Sequence, residues 1–195
     1  MCASVGATLA SDVRKATTIM SDVLPVLTGT LVRLRPWRAD DAPAIHAACQ
    51  DPDIQRWTTV PVPYTPDDAE DFLARRVPDA RARGGAAFAV EDLADRSLAG
   101  STTLLQLVAG VGEIGYWVAP GARRRGLGAD ALATLASWAF AHAGAHRLEL
   151  LIEPDNHASR ALAARAGFVA EDLLPDRLLV RGERRDALSH VLLAP

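Results

Sequence analysis

Tyr116-Trp117-Val118-Ala119-Pro120-Gly121-Ala122-Arg123-Arg124-Arg125-Gly126-Leu127-Gly128-Ala129 is the stretch that decides how this chain folds. Tyr116 to Val118 closes an extended run, and Pro120-Gly121 turns the chain. From Gly126 to His142, Leu127, Leu132, Leu135, Trp138 and Ala139 form a helical stripe that stops at Gly144. A strand therefore passes into a helix through a loop with glycines at two alternate positions. Glycine lets a ligand approach the main chain, and the first helical turn carries N–H groups with no partner of their own. Arg123, Arg124 and Arg125 add charge at the rim. A diphosphate suits this chemistry.

Three readings of the loop stand side by side on these residues. A solvated basic run at the start of a surface helix has the same composition. Gly126-x-Gly128-x-x-Ala131 also fits the GxGxxA fingerprint of a dinucleotide fold, with Glu149 about 20 residues further on. That fold, however, places its glycines directly after a strand and needs βαβ units upstream. The third reading is an acyl-CoA site.

The segments upstream look like hairpins. Ala87 to Asp92, Leu98 to Leu107 and Glu113 to Val118 are strand-like runs joined by short turns, so they pair antiparallel. Before them, Thr30 to Trp37 alternates apolar and basic residues, as a half-buried strand does. Asp40 is placed as the N-cap of the following helix, which Asp51-Pro52-Asp53 stops. Ile54 to Tyr64 reads as an irregular loop with aromatics, and Thr65-Pro66-Asp67-Asp68 as a strong helix start. Downstream come a strand (His146 to Ile152), a short helix (Asn156 to Ala166) and strands at Phe168 to Glu171 and Ala187 to Leu193. The expected fold is α/β, a mixed central sheet of about seven strands with helices on both faces.

Composition bounds the rest. The chain has 195 residues, 49% of them hydrophobic and 23% charged, with a net charge of -3. One domain is expected over residues 28–195, preceded by a disordered extension, residues 1–27, within which Met20 is an alternative start. The charge does not favour a nucleic-acid-binding face, and no apolar run reaches the roughly 20 residues of a membrane span. Cys2 and Cys49 suggest neither a disulfide framework nor a metal site, and the five histidines have no metal-ligand spacing, so no metal is expected. A reducing cytoplasm fits this cysteine usage.

Arg123-x-x-Gly126-x-Gly128 resembles the Q/R-x-x-G-x-G/A motif of the GNAT superfamily of N-acetyltransferases, and it stands between the fourth strand and the next helix as it does there. Asn156-x-x-Ser159 and Gly167-Phe168 resemble that superfamily's second cofactor segment. Leu34-Arg35-Pro36-Trp37, Asp40-Asp41-Ala42, Asp51-Pro52, Tyr64-Thr65-Pro66, Glu113-Ile114-Gly115-Tyr116-Trp117-Val118 and Asp186 are similar to its ribosomal-protein N-terminal acetyltransferase (RimJ/RimL-like) branch. The likeness runs from about Thr28 to Leu193.

The resemblance implies a GNAT-like sheet that opens as a V between the fourth strand and His146 to Ile152, with acetyl-CoA entering it as co-substrate. Backbone groups of Trp117 and Val118 would pair with the pantetheine arm. Arg123, Arg124, Arg125, Gly126, Leu127, Gly128 and Ala129 would hold the pyrophosphate, and Asn156 the far side of the arm. The implied activity is transfer of an acetyl group to a primary amine, either a protein N-terminal α-amine or a small molecule, by direct attack on the thioester. Glu113 is the candidate base; its alternative is a strand-end carboxylate in a salt bridge. Many members carry a tyrosine seven residues after the asparagine, where this chain has Ala163. Ser159 is the substitute donor to the leaving thiolate; its alternative is a first-turn serine bonded to local backbone. Without that tyrosine, a catalytically idle acyl-CoA-binding module is the rival function. Tyr116 reads as packing, and His157 as an exposed residue at a helix start. Trp57 and Tyr64 are placed as walls of the acceptor pocket. The exposed final strand is compatible with a homodimer.

Overall fold

The structure is a computed structural model and describes residues 24–195. A meander comes first: β1 (Leu27–Thr28), β2 (Val32–Pro36), β3 (Ala86–Asp92), β4 (Leu98–Val108) and β5 (Val111–Val118) pair antiparallel in turn. β6 (Arg147–Ile152) then joins β5 in parallel, and a long hairpin of β7 (Val169–Val180) and β8 (Glu183–Leu193) completes one sheet in the order β1-β2-β3-β4-β5-β6-β8-β7. The parallel pair needs a crossover connection, which α4 (Leu127–Trp138) supplies before it ends in a π turn, Ala139–Ala143.

Helices cover both faces. Between β2 and β3 lie α1 (Ala42–Cys49), α2 (Pro52–Trp57) and α3, which starts as Pro66–Asp71, passes through a π turn at Phe72–Arg76 and ends as Val77–Ala82. Ile45, Cys49, Ile54 and Ala69 of these helices and Tyr64 of the loop between α2 and α3 form one core, against which Trp37 and Trp117 pack. On the other face α4 and α5 (His157–Arg165) bury Leu132, Leu135, Leu148, Leu150 and Ala163 with Phe88 and Ile114 in a larger core. The alternation expected along β5 holds. Ile114, Tyr116 and Val118 face the larger core and Trp117 the smaller one.

Four local expectations are corrected. The eighth strand is β1, whose two residues are too few to show alternation, and it starts at Leu27, one residue inside the expected extension. Residues 1–23 of that extension, Met20 included, lie outside the described residues. The N-cap position expected of Asp40 is taken by Asp41, whose side chain does not cap α1 but closes the 3-10 turn Ala39–Asp41 by accepting the Arg38 N–H at 2.8 Å, and accepts two guanidinium bonds from Arg35 at 2.7 and 2.8 Å. Ile54 to Tyr64 is not irregular throughout, because Asp51 accepts the Ile54 N–H at 3.0 Å and starts α2 at Pro52. The last two strands extend far beyond Phe168 to Glu171 and Ala187 to Leu193. Most of β7 is solvent-exposed, so its sequence has no buried face to mark it, and the ladder with β8 carries two register irregularities. Among the described residues no helix is long and apolar enough to cross a membrane.

Candidate active site

The loop after β5 is built as its sequence requires. Pro120–Ala122 forms a single 3-10 turn, Arg124 and Gly126 take positive φ of 63° and 83°, and α4 follows at once. Asp130 N–H to the Gly126 carbonyl, 3.1 Å, opens the helical ladder. Helix geometry leaves the N–H groups of Leu127, Gly128 and Ala129, ahead of that bond, without an intrahelical acceptor. They form a cradle for an anion. Gly128 is needed for closeness: a Cβ there would lie 2.6 Å from Leu162 Cδ1 on α5 and 2.9 Å from Val118 Cγ2 on β5.

The arginine side chains do not form the common cationic rim expected of them. Arg123 reaches away from the cradle to the Asp51 carboxylate at the start of α2, to Asp53 at 3.3 Å and to the Val118 carbonyl at 3.3 Å. Burial would raise the Asp51 carboxyl, but the Arg123 guanidinium and the Ile54 N–H outweigh it and hold the group below the usual carboxylate range. Arg125 pairs with Asp92 at 2.6 Å, and that carboxylate is almost fully buried. Carboxylates at this distance cancel much of the positive charge. Arg124 is exposed and has no hydrogen bond or ion pair among the described residues.

β5 and β6 share only the pairs Val111 with Arg147, Gly112 with Leu148 and Glu113 with Glu149. Beyond Glu113, β5 stays on β4 as far as Val118, and beyond Glu149, β6 stays on β8 as far as Ile152. The sheet therefore opens as a V with Glu113 at its apex. Glu113 is half-buried and accepts the Gln106 side-chain N–H at 3.1 Å. Across the opening, Tyr116 on β5 puts its hydroxyl 2.6 Å from Ser159 Oγ and 3.2 Å from the Ser159 carbonyl on α5. Burial pushes the Tyr116 phenol up to about 12. Asn156 caps α5 by accepting the Ser159 N–H at 3.1 Å. Tyr116 thus does more than pack, and the Ser159 hydroxyl meets this phenol rather than local backbone.

The model of the "Acetyltransferase (GNAT) domain" matches residues 32–169, most of the described chain. The chain belongs to the GNAT acetyltransferase family. It is 31% identical over 132 residues, 66% of this chain and 72% of the relative, to the Bacillus subtilis (strain 168) protein called "Putative ribosomal N-acetyltransferase YdaF". Mycobacterium smegmatis RimJ, solved in complex with CoA-disulfide, superposes with a TM-score of 0.76 at 28% identity, covering 89% of this chain and 88% of that one. A GCN5-related N-acetyltransferase from Brucella melitensis superposes with a TM-score of 0.74 at 28% identity, covering 87% and 78%.

As a GNAT enzyme the chain transfers an acetyl group from acetyl-CoA to a primary amine. On the open side of the V the structure corrects one expected residue. Tyr64 is 5% exposed, its ring stacks on His46 with centroids 6.4 Å apart, and it belongs to the smaller core, so it is no wall of a pocket. Trp57 is half-buried, with the Arg56 guanidinium 4.4 Å above its ring. One contact here escaped the sequence reading. Arg181, at the turn of the β7–β8 hairpin, points Nη1 at the carbonyls of Gln55 (2.8 Å), Thr58 (3.1 Å) and Val60 (3.3 Å). Arg185 below it pairs with Glu153 at 3.0 Å. The hairpin belongs to the β6 side of the V and α2 to the β5 side, so Arg181 straps the two halves together. No signal in the sequence marks that contact beyond the tight-turn dipeptide Arg181-Gly182, whose residues both have positive φ (48° and 85°).

Proposed function

We propose that this GNAT enzyme acetylates a protein N-terminal α-amine, or a small amine of similar basicity, with Glu113 as the base and Ser159 as hydrogen-bond donor to the departing thiolate. One observation carries the reading. Three carboxylates flank the V on β5, β6 and the turn after β6. Glu149 is paired with Arg147 at 2.6 Å and Glu153 with Arg185 at 3.0 Å, whereas Glu113 has no ion pair among the described residues. An unpaired carboxylate is free to take a proton.

Magnitudes favour the α-amine. With a pKa near 7.7 to 8.0, about a tenth to a sixth of it is neutral at pH 7, against roughly one in two thousand for lysine. A single carboxylate with an ordinary hydrogen bond suffices for the first. The neutral nitrogen attacks the thioester carbon, the C–N bond forms as the C–S bond breaks, and the nitrogen's proton passes to Glu113, directly or through water. The leaving group is an alkyl thiolate, which departs without full protonation, so a hydrogen bond from Ser159 is enough help. The cradle N–H groups and the Arg124 main chain would take the pyrophosphate, Trp117 and Val118 the pantetheine amides, and the Asn156 side-chain NH₂, left over from capping, the far side of the arm. The relatives named for ribosomal N-acetylation and RimJ support a ribosomal-protein acceptor, which would place the enzyme in the cytoplasm.

The test is thiol release from acetyl-CoA with two peptide sets. One has a free α-amine and no lysine; the other has a blocked N-terminus and a free lysine. Turnover confined to the first set is expected, and turnover confined to the second would overturn the reading. Glu113→Gln should lower kcat about 100-fold with the acetyl-CoA KM nearly unchanged; an unaltered kcat removes Glu113 from the reaction.

A further inference from the structure

α5 has two occupied flanks. Ser159 and Leu162 face Tyr116, Val118 and Gly128, on the side of the V. About half a turn round the helix stand His157, Arg160, Ala161 and Ala164, spaced i, i+3, i+4 and i+7. This second flank and the β7–β8 ladder border a groove of about 360 Å³, floored by Phe168 and His190, with Ala170 of β7 on its far side. The volume is that of a small-molecule site. None of these residues belongs to the V or to the cradle.

The lining is chemically uneven. Ala161, Ala164 and Ala170 are exposed, and their short side chains leave a slot over Phe168 that a flat ring can enter. Arg160 gives one bond, to the Pro154 carbonyl at 3.0 Å, and has no ion pair among the described residues, so its charge is unmatched. His190 is 3% exposed and only one of its ring nitrogens is engaged: Nδ1 lies 3.1 Å from the Leu188 carbonyl. A carbonyl only accepts, so Nδ1 carries the hydrogen. Burial, helped by the nearby Arg160 charge, outweighs the Leu188 bond and lowers the histidine's pKa, which leaves the ring neutral at pH 7. Nε2 is then a buried lone pair with no donor among the described residues, and such a group is costly to leave unmet.

We infer that this groove is a second ligand site, one that takes a small aromatic carboxylate bearing a hydroxyl. The carboxylate pairs with Arg160, the ring lies on Phe168 between the alanines, and the hydroxyl donates to His190 Nε2. NMR titration of the full chain with para-hydroxyphenylacetate tests this. Saturable shifts of the amides at residues 157–170 and of the His190 imidazole are expected, with a Kd of about 0.1 to 1 mM and no displacement by CoA. Phenylacetate lacks the hydroxyl and para-hydroxybenzyl alcohol the carboxylate; each should bind more weakly by about fivefold or more. Ala161→Phe, which fills the groove from an exposed position, should abolish binding and leave acetyl-CoA turnover unchanged. Arg160→Gln, which retains a donor for the Pro154 carbonyl, should weaken the carboxylate about tenfold without changing the affinity for the alcohol. No saturation by about 10 mM, equal affinity for the three compounds, displacement by CoA, or binding that survives Ala161→Phe overturns the inference.

Discussion

Tyr116 on β5 and Ser159 on α5 bring their side-chain oxygens to 2.6 Å across the opening of the sheet, although they are 43 residues apart. The phenol, pushed up to about 12 by burial, stays protonated over any working range. That makes it a weak proton donor to a departing thiolate. Its single hydrogen has two acceptors within reach, Ser159 Oγ at 2.6 Å and the Ser159 carbonyl at 3.2 Å; donated to Oγ, it leaves the serine's own hydrogen for another acceptor. In the proposed reaction this makes Tyr116 a positioning residue for Ser159.

That geometry sets the size of two effects. Ser159→Ala should lower kcat by about 10- to 100-fold, and Tyr116→Phe, which leaves the serine free to turn, by about three- to tenfold, with a stability loss of about 1 kcal/mol. Steady-state kinetics and thermal melts check both. A Tyr116→Phe enzyme with wild-type kcat would show that Ser159 needs no orientation.

The Arg181 strap makes a different prediction. Its three carbonyl contacts tie Gln55 on α2, together with Thr58 and Val60 in the loop that follows, to the β7–β8 turn. Arg181→Ala should therefore raise the KM for the amine severalfold and speed hydrogen exchange at residues 58–60, with the acetyl-CoA KM constant. If the two KM values rise together, the hairpin acts on the whole V and not on the acceptor side.

A third prediction concerns stability. Arg35, Asp41 and Glu91 form a buried network in which Arg35 gives two bonds to Asp41 and one, at 3.0 Å, to Glu91. Burial would raise the Asp41 carboxyl, but bonds from Arg35 and the Arg38 N–H outweigh it, so its folded value is lowered. A lowered acid stabilises the fold fully above its unfolded value, near 3.9, and that stabilisation is lost as pH falls through the folded value. Asp41→Asn should cost about 3 kcal/mol in denaturant unfolding at pH 7, because Arg35 keeps Glu91 but loses its bidentate partner. The same variant should show a shallower loss of stability below pH 4. A parallel pH dependence in the two proteins would exclude Asp41 as its source.

Local patterns were legible because they depend on neighbours a few residues away. The alternation in Glu113 to Val118, the stripe from Leu127 to Ala139 and the Thr65-Pro66-Asp67-Asp68 start all appear in the structure as read. β7 was mostly invisible for the opposite reason: its side chains are exposed, and pairing with β8 rather than burial makes it a strand. Tyr64 was misplaced because an aromatic in a short loop looks the same whether it faces a ligand or a second core.

By itself the sequence determined the cradle. Positive φ at Gly126, close packing at Gly128 and a helix start just after a strand follow from residue types and their spacing. The tertiary structure alone decided what surrounds it. Arg123 and Arg125 are adjacent to the cradle in sequence yet turn to Asp51 and Asp92, whereas Arg165, on another helix, comes to Gly126, and Ser159 to Tyr116. Sheet order brings α5 beside β5, and a long, flexible arginine goes to whichever carboxylate the fold leaves within reach.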